Sequence, residues 1–420
     1  MKRHSSSLQH IMVISSVMAL LGLNALFCKN QDNPEVETAN KRSTLLSTVE
    51  EPEVIQIWQG SDCGEYGGDG IWQNIKDFFL DWAKFHPGVS LTNYWEPDQG
   101  LVEMTNSLEL PDWANRVAII YNGSYLLYTH RDHHVNTLGA SIWPVKTGNT
   151  LHWTSVGMLG DKGLDDEFES CIYYTIIAWN SAVIDANTTD LESYVNKSWT
   201  ITKNRSVTKA VFNYTGDAWP APEPVAIIPR GYYLSIEGEG MDMHLFQESY
   251  EITQNKSTNL FDPPTWQASG LLRDNHSRET VFGAPCSLLH GSGVSVITEP
   301  FDWEERTPVH CGFFQSCFNN IELKGVHKDT IEVQVPRDTY AIPMLTGMDL
   351  AYSWDDEHFK YGGMWLDDIS RDMDAGRLTY TVNSVLEDKN GKPGHYAIPG
   401  VTILLLDRSS NPYHPRLELE

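Results

Sequence analysis

The chain has 420 residues, of which 41% are hydrophobic, and this is enough for two or more ordinary domains with full cores. Lys and Arg number 30 against 56 Asp and Glu, which gives a formal net charge of −26 at pH 7. Such a surface repels phosphate backbones and anionic lipid, so we expect neither nucleic-acid binding nor membrane-surface binding.

The amino end has the pattern of a signal peptide. A basic region at residues 2–4 precedes Ile11–Phe27, an apolar run somewhat short for a spanning helix. Leu23-Asn24-Ala25 is a candidate cleavage site, and an uncleaved anchor is the alternative. We therefore expect a secreted protein, with a signal peptide over 1–28 and a flexible lead-in over 29–50.

The first predicted domain, residues 51–215, opens with an α/β pattern. Glu53–Trp58 predicts a short strand, and Gly60–Gly70 predicts a glycine-rich turn. Apolar residues then recur at intervals of three and four, which predicts a helix ended by His86-Pro87-Gly88. These residues are Ile71, Trp72, Ile75, Phe78, Phe79, Trp82 and Phe85. Val89–Trp95 predicts a return to strand.

This order of strand, glycine loop, amphipathic helix and the residues HPGV before a second strand resembles the opening of extracellular solute-binding proteins. The resemblance covers about 45 residues and consists of a pattern that is general to α/β units. It does not extend further along the chain, and it assigns no site residues.

From about residue 140 onward the chain is rich in predicted strands. Before that point, Asn122-Gly123 between two apolar runs predicts a type I′ hairpin over Val117–Tyr121 and Ser124–Thr129. Cys171–Trp179 is β-branched and aromatic, as in a central strand, and a second hairpin is predicted to flank Asn204-Arg205-Ser206.

A Pro-rich stretch at 216–224 is the predicted linker to a second domain, 225–420. Short strands with turns at intervals predict a sandwich or barrel there. The predicted fold is therefore β-dominated α+β, with a mixed α/β amino half and an all-β, sandwich-like or barrel-like carboxyl half. The strands after the linker are Val225–Ile228, Tyr232–Ile236, His244–Ile252, Val294–Ile297, Ile321–Lys324, Thr330–Val335, Leu378–Val385 and Val401–Leu406.

Asn-x-Ser/Thr triplets mark acceptors for N-linked glycan. Composition alone predicts roughly three or four of them, so the observed set is about a twofold excess. Together with the leader they predict a secreted glycoprotein. The acceptors are Asn122, Asn187, Asn196, Asn204, Asn213, Asn255 and Asn275.

The six cysteines are expected to form disulfides, since export leads to an oxidising compartment. Cys311 and Cys317 are the favoured pair because the short segment between them allows a small closed loop. Cys28 lies at the edge of the leader, so cleavage there leaves an odd cysteine.

Three residues form a candidate transition-metal site. If the strand that ends near Thr129 continues, alternation places His130, Asp132 and His134 on one face. Two imidazoles and a carboxylate suit zinc, copper or iron with open positions for water or substrate. A polar loop is the alternative interpretation. Met241, Met243 and His244 suit copper by residue type, although alternation separates His244 from the methionines.

A second candidate site is acidic and aromatic. Carboxylates at this density suit calcium, and carboxylates beside aromatic rings suit a glycan, either bound or hydrolysed by a pair of acids. A solvated acidic loop is the alternative. The residues are Trp354, Asp355, Asp356, Glu357, Trp365, Asp367 and Asp368.

The leading hypothesis is a secreted, glycosylated, β-rich binding protein that recognises a glycan, a metal ion or an extracellular protein. One alternative is an extracellular metal-dependent hydrolase or oxidoreductase centred on His130, Asp132 and His134. The other is a glycosidase that uses carboxylates between residues 355 and 374. The candidate cofactor is a divalent metal: zinc, copper or calcium.

Overall fold

Extended backbone dominates the part of the chain that the computed structural model describes: 82% of it is strand and none is helix. All these residues belong to one compact unit, 43–420, and the other unit, 1–42, lies outside them. No helix within the described ranges is long and apolar enough to cross a membrane. The described residues are 46–51, 54–66, 100–129, 135, 137–160, 167–190, 199–204, 207–214, 225–237, 247–255, 265–273, 279–298, 318–319, 325–351, 359–388 and 396–407.

The strands are numbered in chain order. The first twelve are β1 (Leu46–Glu51), β2 (Ile55–Tyr66), β3 (Gly100–Glu109), β4 (Arg116–Tyr128), β5 (Thr137–Thr147), β6 (Thr150–Gly160), β7 (Phe168–Trp179), β8 (Asn187–Asp190), β9 (Trp199–Asn204), β10 (Val207–Tyr214), β11 (Val225–Pro229) and β12 (Gly231–Glu237). The others are β13 (Gln247–Asn255), β14 (Thr265–Arg273), β15 (Glu279–Gly283), β16 (Cys286–His290), β17 (Val294–Thr298), β18 (Phe318–Asn319), β19 (His327–Gln334), β20 (Thr339–Ala351), β21 (Phe359–Asp372), β22 (Arg377–Asp388) and β23 (Tyr396–Asp407).

These strands form four antiparallel sheets. Sheet A has the order β1-β2-β7-β4-β21-β22-β19, and sheet B has the order β15-β12-β5-β6-β3. Sheet C is β11-β16-β8, and sheet D is β17-β23-β20-β13-β14-β10-β9 with β18 paired to β23. Sheets A, B and D each contact the other two, through β2 with β3, β4 with β20, and β14 with β15. The arrangement is propeller-like.

The predicted mixed α/β amino half is wrong, because the described residues on both sides of 216–224 are mostly strand and include no helix. The amphipathic pattern at 71–85 and the predicted strand Val89–Trp95 lie outside the described residues. The predicted glycine-rich turn is extended backbone as far as Tyr66, because β2 pairs with β7 along its whole length. Glycine there marks close packing: a Cβ at Gly60 would lie 2.8 Å from the ring of Tyr174.

The predicted linker does not divide the sheets. In sheet A, β4 pairs with β21, and in sheet B, β5 pairs with β12. Strands from the two predicted domains therefore share hydrogen-bonded sheets within one compact unit. Residues 216–224 themselves lie outside the described part of the chain.

β7 is the central strand that its composition predicts, since it lies between β2 and β4. Ile172, Ile176 and Ala178 face the larger core, while Ile177 and Trp179 face a smaller one on the other side of the sheet. Burial on both faces accounts for the near-continuous apolar sequence. The second predicted hairpin is also present, since Asn204 pairs with Val207 between β9 and β10.

A buried carboxylate joins sheet A to sheet B. Asp62 of β2 is 4% exposed and accepts hydrogen bonds from Asn106 Nδ2, Trp153 Nε1, Ser155 Oγ and Tyr174 OH. Burial raises the pKa of Asp62, and these four donors oppose that rise by favouring the ionised form. Asp62 therefore forms a buried polar connection between the two sheets.

The predicted Asn122-Gly123 hairpin is wrong, because β4 continues through both residues with a register shift between Tyr121 and Gly123. Pairing with β7 on one side and β21 on the other keeps the backbone extended. Asn122 is 1% exposed, and its Nδ2 donates a 2.7 Å hydrogen bond to Thr175 Oγ1. The folded chain therefore has no room for a glycan at Asn122.

Candidate functional site

Most of the metal and ligand residues expected from sequence lie outside the described residues. These are His130, Asp132 and His134 of the first candidate, Trp354, Asp355, Asp356 and Glu357 of the second, and the copper candidates Met241, Met243 and His244. Within the ranges that are described, no group of three or more His, Cys, Asp or Glu side chains is arranged to hold a metal ion.

Trp365, Asp367 and Asp368 lie on β21, which pairs with β4 on one side and β22 on the other. Trp365 is 4% exposed, Asp367 is partly buried and Asp368 is exposed. Asp368 has a φ of 49°, at the register shift between Asp367 and Ser370. This bulge turns Asp368 outward and separates it from the other two residues.

Trp365 belongs to an aromatic platform on one face of sheet A, formed with Tyr125, Tyr173 and Tyr361. Gly123 of β4 pairs with Trp365 on one side and with Tyr173 on the other. Because glycine has no side chain, the two flanking rings stack, with centroids 5.0 Å apart and planes 11° apart. Gly123 has a φ of 112°, and a Cβ there would lie 2.1 Å from the carbonyl oxygen of Met364. Gly123 therefore permits both the strand pairing and the stack.

Tyr125 and Tyr361 complete the platform. Tyr125 lies opposite Gly363 in the pairing of β4 with β21. Its ring centroid is 5.3 Å from that of Tyr361, edge to face, and 5.5 Å from that of Trp365. Rings this close fill the space between them, so they form a packed surface rather than a cage around a cation. The three tyrosines remain partly exposed.

Carboxylates border one end of the platform in a single cross-strand row. Glu65 pairs with Glu169, Glu169 with Leu127, Leu127 with Tyr361, and Tyr361 with Glu387. The hydroxyl of Tyr125 donates a 2.7 Å hydrogen bond to Glu169 Oε1, which places this carboxylate beside the rings. Lys360 Nζ lies 3.3 Å from Glu387 Oε2.

The pKa values of the platform tyrosines lie above their ordinary range. Burial is the largest cause, and Glu169 contributes to the rise for all three tyrosines. The pKa of Tyr361 rises to about 12, with a further contribution from Glu387. The phenols therefore stay protonated at physiological pH and act as neutral donors.

Buried polar atoms with unmet hydrogen-bonding capacity lie at the other end of the platform. Asn383 of β22 pairs with Trp365, and its Nδ2 lies 3.5 Å from the Trp365 carbonyl oxygen. Asn383 and Trp365 favour the charged form of Asp367, although burial raises the pKa of that carboxyl overall. Nevertheless, Oδ1 of Asp367, Oδ1 of Asn383 and Nε1 of Trp365 have no partner in hydrogen-bonding geometry. Asp367, which is partly exposed, connects these atoms to the surface.

A disulfide between Cys63 and Cys171 lies beside the platform and joins β2 to β7. Cys171 pairs with Tyr125 on its other side. The sequence did not indicate this pair, because Cys63 falls in the stretch predicted to be a turn. The predicted pair, Cys311 with Cys317, lies outside the described residues.

The glycan acceptors other than Asn122 occupy several strands. Asn187 begins β8, and its Oδ1 accepts a 3.0 Å hydrogen bond from Arg116 Nε. Asn204, Asn213 and Asn255 lie at or near the ends of β9, β10 and β13. Asn196 and Asn275 fall outside the described residues, and glycosylation of all these positions stays a prediction.

Two other buried titratable groups, Glu248 and Cys286, have surroundings that indicate a structural role. Glu248 of β13 is 2% exposed and accepts a 2.8 Å hydrogen bond from Tyr232 OH, among stacked tyrosines. Burial raises the pKa of the Cys286 thiol to about 12, and its Sγ lies 3.4 Å from the carbonyl oxygen of Ala284. Cys286 is therefore protonated and unsuited to nucleophilic attack.

Three residues of this region were expected from the sequence to bind a ligand: Trp365, Asp367 and Asp368. Tyr125, Tyr173 and Glu169 were not expected. Glu169, Cys171 and Tyr173 recur at every second position of β7, which was the available signal for a partly polar face on a buried strand. Comparison with protein-family models, curated proteins and solved structures found no match.

Proposed function

We propose that this protein binds glycans through the aromatic platform on sheet A. The observation that carries the proposal is the stack of Tyr173 on Trp365 across Gly123, with carboxylates at both ends of the ring surface. Sugar rings present C–H faces that pack on aromatic rings and hydroxyls that need hydrogen-bond partners. A surface with both features suits that chemistry.

The polar groups around the rings support the proposal. A sugar hydroxyl both donates and accepts, so it can donate to the partly exposed carboxyl group of Asp367 while accepting a hydrogen bond from a neighbouring donor. The three tyrosines supply neutral hydroxyls at their edges. The rigid pairing of β4, β7 and β21 holds these groups in place before a ligand arrives.

An extracellular location is part of this proposal. The Cys63–Cys171 disulfide is consistent with an oxidising compartment. The apolar leader and the clustered acceptor triplets support the same location. The protein would then be a secreted glycoprotein that meets glycans of other molecules.

Glycan binding can be tested with a glycan array followed by calorimetry on the ligands it identifies. Tyr173→Ala should lower affinity about fivefold, because it removes a stacking contribution of about 1 kcal/mol. Trp113→Ala is the matched control, since Trp113 is also a partly buried aromatic residue but precedes β4. Unchanged affinity in Tyr173→Ala, or an equal loss in both variants, would contradict the proposal. Analysis of the oligosaccharides after incubation separates binding from hydrolysis.

A further inference from the structure

The row of carboxylates across sheet A contains a like-charge pair. Glu65 and Glu169 lie directly opposite each other on β2 and β7, two residues along each strand from the Cys63–Cys171 disulfide. Side chains paired in this way have Cβ atoms about 5 Å apart, and like charges there repel. The disulfide prevents the two strands from shifting to relieve that repulsion.

Within the described ranges, nearby cations do not neutralise this pair. Lys360 pairs with Glu387, and Lys328 lies near Asp367 at the other end of the platform. Among the described residues, no Lys, Arg or His forms an ion pair with Glu65 or Glu169. The whole chain adds a negative field, with a formal net charge of −26. An anionic ligand would meet repulsion at this end of the platform, and a cation would meet attraction.

A ring surface lies directly beside these carboxylates. Tyr125 donates to Glu169, and Tyr361 lies in the same cross-strand row. A protonated amine can interact with two carboxylates and with the face of a tyrosine ring at once. Since the rings are packed together, the amine must approach from outside them.

We infer, on the basis of the proposed glycan site, that its preferred ligands are glycans with free, protonated amino groups, which bind through Glu65 and Glu169. Glucosamine-type sugars belong to this class. N-acetylated sugars of the same skeleton lack the charge and bind more weakly, and acidic sugars bind most weakly.

The test compares three oligosaccharides of equal length by calorimetry, in a mildly acidic buffer in which amines are protonated. They are a glucosamine oligomer, its N-acetylated counterpart and a glucuronate-containing oligomer. We expect the glucosamine oligomer to bind about tenfold more tightly than the N-acetylated one, since two exposed ion pairs are gained. Added salt should reduce that difference.

The double variant Glu65→Gln/Glu169→Gln should remove the preference, so that the glucosamine oligomer binds no more tightly than the N-acetylated one. Glutamine at position 169 can still accept the hydrogen bond from Tyr125. The control is Glu109→Gln, which changes an exposed carboxylate on β3 of sheet B that accepts a hydrogen bond from Thr150. A preference that persists in the double variant, or that falls equally in the control, would show attraction to the overall charge only and overturn the inference.

The outcomes also separate the inference from the proposed function. If the acidic or N-acetylated oligomer binds as tightly as the glucosamine oligomer, and Tyr173→Ala weakens all of them, the charge preference is wrong and the glycan site stands. If none of the three binds and the array identifies no ligand, both are wrong.

Discussion

At the scale of single residues, Glu248 is an ionisable group that is buried in the interior, with 2% of its surface exposed. It lies in the interior with Tyr232 as a hydrogen-bond donor, and the stacked ring of Tyr250 adjoins Tyr232. Burial raises its pKa from 4.5 to about 7, and the hydrogen bond from Tyr232 offsets only part of that rise. A carboxyl with a raised folded-state pKa binds more protons in the folded state than in the unfolded state. Its contribution to stability is therefore present at low pH and is lost as the pH rises from about 4.5 through about 7.

Glu248→Gln should remove this pH dependence, because glutamine keeps the acceptor for Tyr232 and cannot ionise. We expect the variant to match the native protein near about pH 4 and to exceed its free energy of unfolding by about 3 kcal/mol near about pH 8. Urea unfolding across that pH range measures the difference. A difference that stays constant with pH would mean that Glu248 does not titrate in this window.

At the scale of strands, β4 determines the platform because its Gly123 lies between the two stacking residues. Gly123→Ala should separate β4 from β21, since the new Cβ would meet both the Met364 carbonyl oxygen and the Trp365 backbone. We expect a loss of roughly 2–4 kcal/mol in the free energy of unfolding. Near-ultraviolet circular dichroism should show the loss of the Tyr173–Trp365 stack.

Gly148→Ala provides the control for Gly123→Ala. Gly148 lies in the turn between β5 and β6, has a φ of 61°, and has nothing within 4 Å of an added Cβ. The alanine at position 148 is therefore unfavourable only because of the left-handed backbone conformation, which should lower the free energy of unfolding by about 1 kcal/mol. Equal losses in the two variants would show that close packing at Gly123 contributes nothing beyond backbone conformation.

At the scale of the whole molecule, the Cys63–Cys171 disulfide links strands that are 108 residues apart in sequence. A cross-link of that span restricts the unfolded chain, so Cys63→Ser/Cys171→Ser should lose about 4 kcal/mol of unfolding free energy. Urea unfolding with and without reductant checks this. Reductant should destabilise the native protein and leave the double variant unchanged. A native protein that is insensitive to reductant would contradict the prediction.

Local patterns predicted those parts of the fold in which neighbouring residues settle the structure. The β-branched run of β7 predicted a central strand, and the chain around Asn204 predicted the β9–β10 hairpin. The hairpin predicted at Asn122-Gly123 was wrong because that prediction used only the local turn preference of the two residues. In the folded chain, pairing with strands on both sides overrides this preference. The acidic and aromatic segment around Trp365 was identified, but its ring partners on β4 and β7 are distant in sequence.

The sequence by itself determined the negative charge of this protein, its strand-forming runs and its acidic aromatic segment. Tertiary structure decided which distant residues meet, because pairing between antiparallel strands depends on register across the sheet and on the packing of its faces. Only that register places Tyr173 and Trp365 on either side of Gly123, where their rings stack, and places Glu65 opposite Glu169. Each of these residues, taken alone in the sequence, is an ordinary strand residue.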